Sequence, residues 1–324
     1  MKDKIFNIQT EVEFTNIALA VFKHQFTNNK VYRSFCDLLY VHPSDVKSVE
    51  EIPFLPIEFF KNKKVVSSLD EVQETFTSSG TTGSVTSKHF VTDIQFYKES
   101  YLKGFNHFYG NIEDYVVLAL LPNYLERNGS SLVFMVDDLI TKSKNLESGF
   151  YLNNIEELAK NLIKLDKAGQ KILLIGVSFA LLDLIELQQF NLQNTIIMET
   201  GGMKGRRKEL IRDELHQLLQ NGFGVKEIHS EYGMTELLSQ AYSKGKGVFE
   251  TPPWMKILTR DTEDALTINS LGKNGGINVI DLANYNSCSF IATQDLGNVQ
   301  KDGTFEIIGR FDNSDIRGCN LMVL

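Results

Sequence analysis

Hydroxyl side chains and glycines are concentrated in one short segment, TFTSSGTTG, at residues 75–83. Its exposed amides and hydroxyls can surround phosphate oxygens, and Gly80 and Gly83 permit close approach of the backbone to a ligand. The second glycine is followed by Ser84 and Val85 instead of Lys and Ser/Thr, so the segment is not a Walker loop. The residues favour a phosphate-binding loop, with a solvated turn as the equally weighted alternative.

A second group of chemically capable side chains lies in EYGMTE, residues 231–236, directly after a short predicted strand. Tyr232 can stack on a nucleobase, and Glu236 can bind Mg²⁺, a cation that prefers oxygen ligands and accompanies phosphates. The alternative is a capped helix start whose tyrosine packs in the core.

A third pair consists of Asp295 in ATQDLG and Arg310 in GRFD, which flank a predicted hairpin with its turn at residues 301–303. A carboxylate can accept hydrogen bonds from both ribose hydroxyls, and a guanidinium can bridge ribose and phosphate oxygens. Taken singly, each residue is more typical of a surface ion pair.

The elements that must position these segments follow from the hydrophobic pattern. Apolar runs at 115–121, 171–177 and 195–200 are each followed by a longer helical pattern, which predicts a parallel sheet wrapped by helices. The predicted fold class is therefore α/β. The last of these helices is expected from residue 205, with these side chains facing inward: Ile211, Leu215, Leu218 and Leu219.

Other elements are predicted before and after this sheet. Residues 10–40 read as two amphipathic helices, residues 52–60 as an extended segment on the core, and residues 94–110 as a helix capped by Asp93. After Ser239 strand-like runs separated by Gly, Asn and Asp take over. These changes predict a helix-flanked core at 1–244 and a smaller β-rich subdomain at 245–324.

Composition limits the classes of partner. A formal charge of -8 argues against a broad phosphate-neutralising surface, so nucleic acid is not expected as a partner. Three scattered cysteines do not make a disulfide framework, and the chain start lacks a leader, so we expect the cytoplasm. No apolar run reaches the roughly 18 residues of a membrane span. The sequence leaves open whether the chain forms a homo-oligomer.

In this order and spacing, the segments resemble the adenylate-forming superfamily, whose members convert a carboxylate and ATP into acyl-AMP and pyrophosphate. Within it the chain is most similar to the acyl-protein synthetase family of bacterial luminescence, the long-chain-fatty-acid luciferin-component ligases, and more distantly to phenylacetate-CoA ligase. The likeness extends from IPFLPIEFFK at residue 52 through PNYLERNGSSLVFM at 122 to RGCNLM at 317. It implies an ATP- and Mg²⁺-dependent ligase with a carboxylic acid substrate, expected to be fatty.

The resemblance also implies roles for individual residues. The pyrophosphate end of ATP is assigned to the loop and, less firmly, to Lys88, because two extra residues precede that lysine relative to the common pattern. Thr235 is assigned to a phosphate and Glu236 to Mg²⁺. Asp295 and Arg310 are assigned to the ribose, and the residues implied to flank adenine are Gly201, Gly202, Met203 and Tyr232. The implied nucleotide-binding residues are Thr77, Ser78, Ser79, Gly80, Thr81, Thr82, Gly83, Gly201, Gly202, Met203, Glu231, Tyr232, Gly233, Met234, Asp295 and Arg310.

The acyl acceptor is the least determined part. In the luminescence synthetases it is a cysteine of the enzyme near its C-terminus, from which the acyl group reaches a partner reductase. Cys319 is the implied counterpart, and the preceding Arg317 would favour its thiolate. An incidental tail cysteine is the alternative. The superfamily's usual C-terminal lid domain, with its adenylation lysine, is expected to be absent, so either the reaction proceeds without that lysine or a partner chain replaces it.

Two other functions remain open from the sequence. One keeps the adenylation step but delivers the acyl group to coenzyme A or to an acyl carrier partner. The other is a non-catalytic nucleotide-binding subunit of an acyl reductase complex. The first predicts full product yield after Cys319→Ser, and the second predicts ATP binding without acid-dependent exchange of pyrophosphate into ATP.

Overall fold

The computed structural model describes residues 1–78, 85–122, 129–201 and 210–311. The helices are α1 (Lys2–Ile5), α2 (Glu11–Asn28), α3 (Lys30–Leu38), α4 (Phe59–Asn62), α5 (Ile94–Tyr109), α6 (Ser131–Ser143), α7 (Ile155–Lys167), α8 (Ser178–Leu187) and α9 (Arg212–Phe223). The strands are β1 (Leu55–Pro56), β2 (Glu74–Thr77), β3 (Lys88–Val91), β4 (Val116–Leu120), β5 (Gly149–Phe150), β6 (Ile172–Gly176), β7 (Thr195–Glu199), β8 (His229–Tyr232), β9 (Ala241–Ser243), β10 (Val248–Glu250), β11 (Met255–Arg260), β12 (Gly275–Asp281), β13 (Phe290–Val299) and β14 (Phe305–Arg310).

One large mixed sheet organises the fold, with strand order β11-β12-β13-β14-β10-β9-β8-β7-β6-β4-β5 and with β1 paired to β13. The strands from β8 through β7, β6 and β4 to β5 are parallel, as the alternating pattern predicts. From β9 to β11 along the same order the pairing is antiparallel. Strand β8 is therefore the junction between the two kinds of pairing.

The parallel strands are buried on both faces, which explains their continuous apolar sequences. In β4 every residue is buried, and successive side chains enter different cores. One core includes side chains of α7, α8 and α9, and the other includes side chains of α5, α6 and the N-terminal helices. Because the strands are parallel, their carboxyl ends share one edge of the sheet, where α/β proteins commonly bind ligands.

The N-terminal elements largely follow the prediction. The two helices expected in residues 10–40 are α2 and α3, and a capping box at Thr10 and Glu13 starts α2. The apolar segment at 52–60 is extended through β1 but becomes helical at Phe59, where α4 begins. Helix α5 is capped as predicted, because the Asp93 carboxylate accepts a hydrogen bond from the Phe96 amide at 3.1 Å.

The prediction for α9 was partly wrong. The helix begins at Arg212, and residues 202–209 lie outside the described part of the chain. Leu215 and Leu219 are buried, but Ile211 precedes the helix and is 73% exposed, while Leu218 is 44% exposed. The inward face is completed instead by His216, Gly222 and Phe223, which lie three or four residues from Leu219 and therefore on the same face of the helix.

The strands expected after Ser239 are present as β9 to β14. They are hydrogen-bonded into the same sheet as the parallel strands, and the division into domains at residues 244 and 245 stays a prediction. No helix within the described ranges has the length and apolar character needed to cross a membrane.

Candidate active site

Strands β13 and β14 form the predicted hairpin and place Asp295 directly opposite Arg310. The Arg310 Nε atom lies 3.1 Å from Asp295 Oδ1, and the two side chains are 55% and 12% exposed, respectively. The Asp295 amide donates to the Thr293 hydroxyl at 3.1 Å, which holds the backbone beside the carboxylate. The ion pair considered from the sequence is therefore present, with its acid buried and its base exposed.

Tyr232, the last residue of β8, joins this pair. Its hydroxyl donates to Asp295 Oδ2 at 2.8 Å, and its ring packs at 6.0 Å from Phe249 and 5.7 Å from Phe305. Burial and the neighbouring Asp295 charge raise the pKa of Tyr232 well above its ordinary value, so it remains a donor. Each oxygen of the Asp295 carboxylate thus has one protein donor and retains a lone pair for another.

The described ends of the TSSGTTG segment are fixed by a hairpin of β2 and β3. Thr77 pairs with Lys88 across the two strands, and Lys88 is exposed. Beyond them the Ser78 amide donates to the Ser87 carbonyl at 3.2 Å, and the Ser87 amide donates to the Ser78 hydroxyl at 3.0 Å. The predicted loop residues between these ends, Ser79, Gly80, Thr81, Thr82 and Gly83, lie outside the described residues.

The hairpin contacts the end of the EYGMTE segment. The Ser87 side chain hydrogen-bonds the Glu236 carboxyl group, and His89 Nδ1 lies 2.9 Å from the Thr235 carbonyl oxygen. His89 is fully buried, and burial lowers its pKa to about 4. The segment itself is a turn closed by the Leu237 amide on the Met234 carbonyl at 3.0 Å, and the alternative of a helix start is wrong.

Glu236 is a buried acid on which two cations, Arg310 and Lys61, act. It is 5% exposed, and burial raises the pKa of its carboxyl group. The Ser87 hydrogen bond and the charges of Arg310 and Lys61 oppose this rise. Arg310 therefore acts electrostatically on Glu236 while it pairs with Asp295, which links the third segment to the second.

The carboxyl end of β7 contributes Glu199 and Gly201. Gly201 has a φ of +71° and is exposed, and its amide donates to Glu199 Oε2 at 2.7 Å. Glu199 is 7% exposed and also accepts from the Ser178 hydroxyl at 3.3 Å. The other two residues predicted to flank adenine, Gly202 and Met203, fall outside the described residues.

The remaining EYGMTE residues lie at the end of β8. Burial and, after it, the charge of Glu199 raise the pKa of Glu231 to about 8, which favours the neutral form of this carboxyl group. Met234 packs against the core, and Gly233 connects it to Tyr232. Their assignment to the nucleotide remains a prediction.

Two of the three cysteines lie in the core. Cys36 and Cys288 are fully buried, and burial raises the pKa of Cys36 to about 12. Neither suits a nucleophile, because the reactive form is the thiolate. Cys319, the predicted acyl acceptor, lies outside the described residues.

Sequence reasoning missed several residues at this site. Ser87, His89 and Lys61 gave no local signal, because their partners are distant in the chain. Glu199 did offer one, since it is a charged residue at the end of an otherwise apolar buried strand.

The described residues thus connect all three chemically capable segments. Ser87, at the end of the first, bonds Glu236 in the second, and Arg310 of the third lies near Glu236 and pairs with Asp295. Tyr232 closes the connection by bonding Asp295. The arrangement offers a carboxylate for hydroxyl groups, cations for phosphates and a second acid for a metal ion.

Known proteins resemble the chain over nearly its whole length. Residues 6–96 match the family model described as acyl-protein synthetase, LuxE. The long-chain-fatty-acid luciferin-component ligase of Vibrio harveyi is 25% identical over 98% of this chain and 89% of its own length. Its counterpart from Aliivibrio fischeri is 24% identical, with the same coverage of both chains.

Solved structures of adenylate-forming ligases share the fold. The open form of 2-hydroxyisobutyryl-CoA ligase, in complex with 2-HIB-AMP and CoA, has a TM-score of 0.67 at 12% identity and covers 94% of this chain and 70% of its own. ATP-bound MatB from Rhodopseudomonas palustris has a TM-score of 0.56 at 17% identity over 75% of this chain, which spans about half of MatB, 49%. These matches confirm the predicted resemblance: the chain has the fold of adenylate-forming ligases and is similar in sequence to the acyl-protein synthetases.

Proposed function

We propose that this protein uses ATP to activate a fatty acid as an acyl-AMP and then transfers the acyl group to a thiol. The observation that supports this most directly is the linked set of Ser87, Glu236, Arg310, Asp295 and Tyr232, drawn from three distant segments. The curated relatives are named as long-chain-fatty-acid ligases, and MatB was solved with ATP bound. Both names agree with the chemistry that these side chains offer.

Asp295 and Arg310 would hold the ribose of ATP. Asp295 is presented from a rigid strand, and its two oxygens are oriented by Tyr232 and Arg310, so it can accept hydroxyl hydrogen bonds without rearranging. The exposed guanidinium of Arg310 has further N–H groups for ribose and phosphate oxygens. Gly201 to Met203 and Tyr232 are proposed beside the adenine, and the loop from Thr77 to Gly83 with Lys88 at the pyrophosphate end.

Glu236 fits a role as the Mg²⁺ ligand. Within the described residues there is no group of three or more His, Cys, Asp or Glu side chains arranged to hold a metal ion. Mg²⁺ at ATP sites generally needs only one or two carboxylates, because phosphates and waters supply its other ligands. A buried acid with a raised pKa gains most from a nearby cation, and Mg²⁺ bound there would offset negative charge on the phosphates.

The reaction has two displacement steps. A carboxylate oxygen of the acid attacks the α-phosphorus of ATP, the bond from that phosphorus to pyrophosphate breaks, and pyrophosphate leaves. A thiolate then attacks the acyl carbon, the bond to the AMP oxygen breaks, and AMP leaves with the electron pair. The chain's part in the first step is to align the acid with the α-phosphate through fixed donors. Cys319 is proposed as the thiol of the second step, with an acyl reductase or acyl carrier as the subsequent recipient.

The test is exchange of labelled pyrophosphate into ATP, measured across straight-chain fatty acids of graded length. We expect exchange that requires both an acid and Mg²⁺ and that is lost in Glu236→Ala. Asp302→Asn, in the exposed turn at the far end of the hairpin, serves as the matched control and should exchange like the wild type. ATP binding without exchange for any acid would refute the proposal and favour a nucleotide-binding subunit.

A further inference from the structure

The Ser78–Ser87 base of the proposed phosphate loop is joined to the Thr235–Glu236 segment by the side chains of Ser87 and His89. Ser87 comes just before β3, and His89 is its second residue, so the two point to the same side of the chain while Lys88 points to solvent. Ser87 is also fixed to Ser78 across the hairpin by two hydrogen bonds. A displacement of β3 would therefore move the loop end and its partners together.

His89 contacts the neighbour of Glu236 directly. Its Nδ1 atom lies 2.9 Å from the Thr235 carbonyl oxygen, and a carbonyl oxygen can only accept, so His89 donates from Nδ1. The ring is held edge-on to Phe60 with centroids 5.7 Å apart, and the side chain has no exposed surface. The packing of the ring thus holds the Nδ1–H group toward the Thr235 carbonyl oxygen.

Two functions for this histidine can be distinguished. A ring that only fills space beside Phe60 could be replaced by any side chain of similar volume. A ring that donates to the Thr235 carbonyl also fixes the position of Glu236, because the two residues are adjacent. The hydrogen bond from Ser87 holds the Glu236 carboxyl group beside the start of β3 as well. The second interpretation accounts for a buried polar ring whose hydrogen bond ends on the YGMTE turn.

We propose that His89 is a positioning residue: with Ser87, it fixes the Thr235–Glu236 segment beside Ser78 and Ser87, at the described ends of the proposed phosphate loop, so that a metal ion on Glu236 would meet the phosphates. The inference rests on the proposed function. In this proposal His89 does not contact ATP. Loss of its hydrogen bond is expected to raise the Mg²⁺ concentration that the reaction needs, with a smaller effect on the stability of the fold.

The test compares His89→Asn with His89→Gln. The amide nitrogen of Asn lies at the distance of Nδ1 from the main chain and can still donate to Thr235, whereas that of Gln reaches the position of Nε2. We measure the Mg²⁺ concentration for half-maximal acid-dependent pyrophosphate exchange, together with the thermal unfolding midpoint. Loss of one neutral hydrogen bond predicts a rise of about fivefold in that concentration for His89→Gln. His89→Asn should stay within about twofold of the wild type, well below the effect of one lost hydrogen bond.

Each outcome decides the inference. An equal rise in both variants, or none in either, would overturn it. If neither histidine variant folds, Ser87→Ala replaces them, and it should raise the Mg²⁺ requirement in the same direction; an unchanged requirement would overturn the inference. A wild type without exchange overturns the proposed function and this inference with it, whereas an active wild type with unaltered Mg²⁺ use in the variants overturns the inference alone.

Discussion

Replacement of Asp295 by Asn tests the proposed ribose site, because it removes the negative charge and keeps the size of the side chain. In the wild type, Oδ2 accepts from Tyr232 and Oδ1 from Arg310. The amide nitrogen of Asn must face one of these donors. Arg310 is 55% exposed and can turn to solvent, so we expect the variant to fold with little loss of stability.

The size of the effect on ATP follows from the bond that is lost. A hydrogen bond to a charged group contributes about 1.5–3 kcal/mol, and about 1.4 kcal/mol corresponds to a factor of ten. Removal of one ribose hydroxyl should therefore lower kcat/KM of the wild type by about 10- to 100-fold, since the carboxylate then loses a partner. In Asp295→Asn the same removal should cost about fivefold or less, because the charged acceptor is gone and only a neutral hydrogen bond can be lost.

The assay is acid-dependent pyrophosphate exchange with ATP, 2′-deoxy-ATP and 3′-deoxy-ATP, run on the wild type, on Asp295→Asn and on the control Asp302→Asn. The control should discriminate among the nucleotides as strongly as the wild type. If Asp295→Asn penalises the deoxynucleotides as severely as the wild type does, Asp295 does not bind the ribose and the assignment fails.

Three further predictions concern other groups. Burial raises the pKa of Glu231 from 4.5 to about 8, so the native state holds this proton more tightly than the unfolded chain does. The free energy of unfolding of the wild type should therefore fall relative to that of Glu231→Gln as pH rises from 4.5 to 8. A difference between the two proteins that stays constant across that range would contradict this. Cys319→Ser should keep acid-dependent exchange but abolish the protein-bound acyl thioester detected by mass spectrometry, whereas an undiminished acyl label would exclude this cysteine. Gly222→Ala places a methyl group 2.6 Å from Ile185 where α8 and α9 pack, so urea unfolding should show a loss of about 1–3 kcal/mol, and wild-type stability would show that the helices separate freely.

The sequence predicts those parts of the fold that depend on local pattern. Continuous apolar runs identify β4, β6 and β7 because strands buried on both faces leave no polar positions. The hairpin that carries Asp295 and Arg310 was also predictable, since a turn signal separates two strand-like runs. That the two residues face each other was not, because a bulge at Leu296 and Gly297 shifts the register by one residue. The error at Leu218 arose because the buried face is centred on Leu219, and an adjacent residue lies about 100° around the helix axis. Ile211 is exposed because it precedes the first residue of α9.

Contacts between distant segments were not predictable in this way. Nothing near His89 indicates that it bonds Thr235, and nothing near Lys61 indicates that its charge acts on Glu236. These contacts exist because the tertiary fold lays α4 and β3 beside the turn after β8. The residues that touch a ligand can be proposed from motifs, but those that hold the motifs in place require the structure.

The facing positions of Asp295 and Arg310 have a consequence for engineering the protein. Side chains alternate between the two sides of a strand, and a bulge at Leu296 and Gly297 already sets the register of this pair. One residue added between Asp295 and the turn, or between the turn and Arg310, would shift that register and separate the acid from the base. Residues 301–303, at the connecting tip, are exposed, and extra length there enlarges only the loop. A reporter peptide inserted at that tip would be carried by the same hairpin as the proposed nucleotide site and would leave the alignment of Asp295 with Arg310 intact.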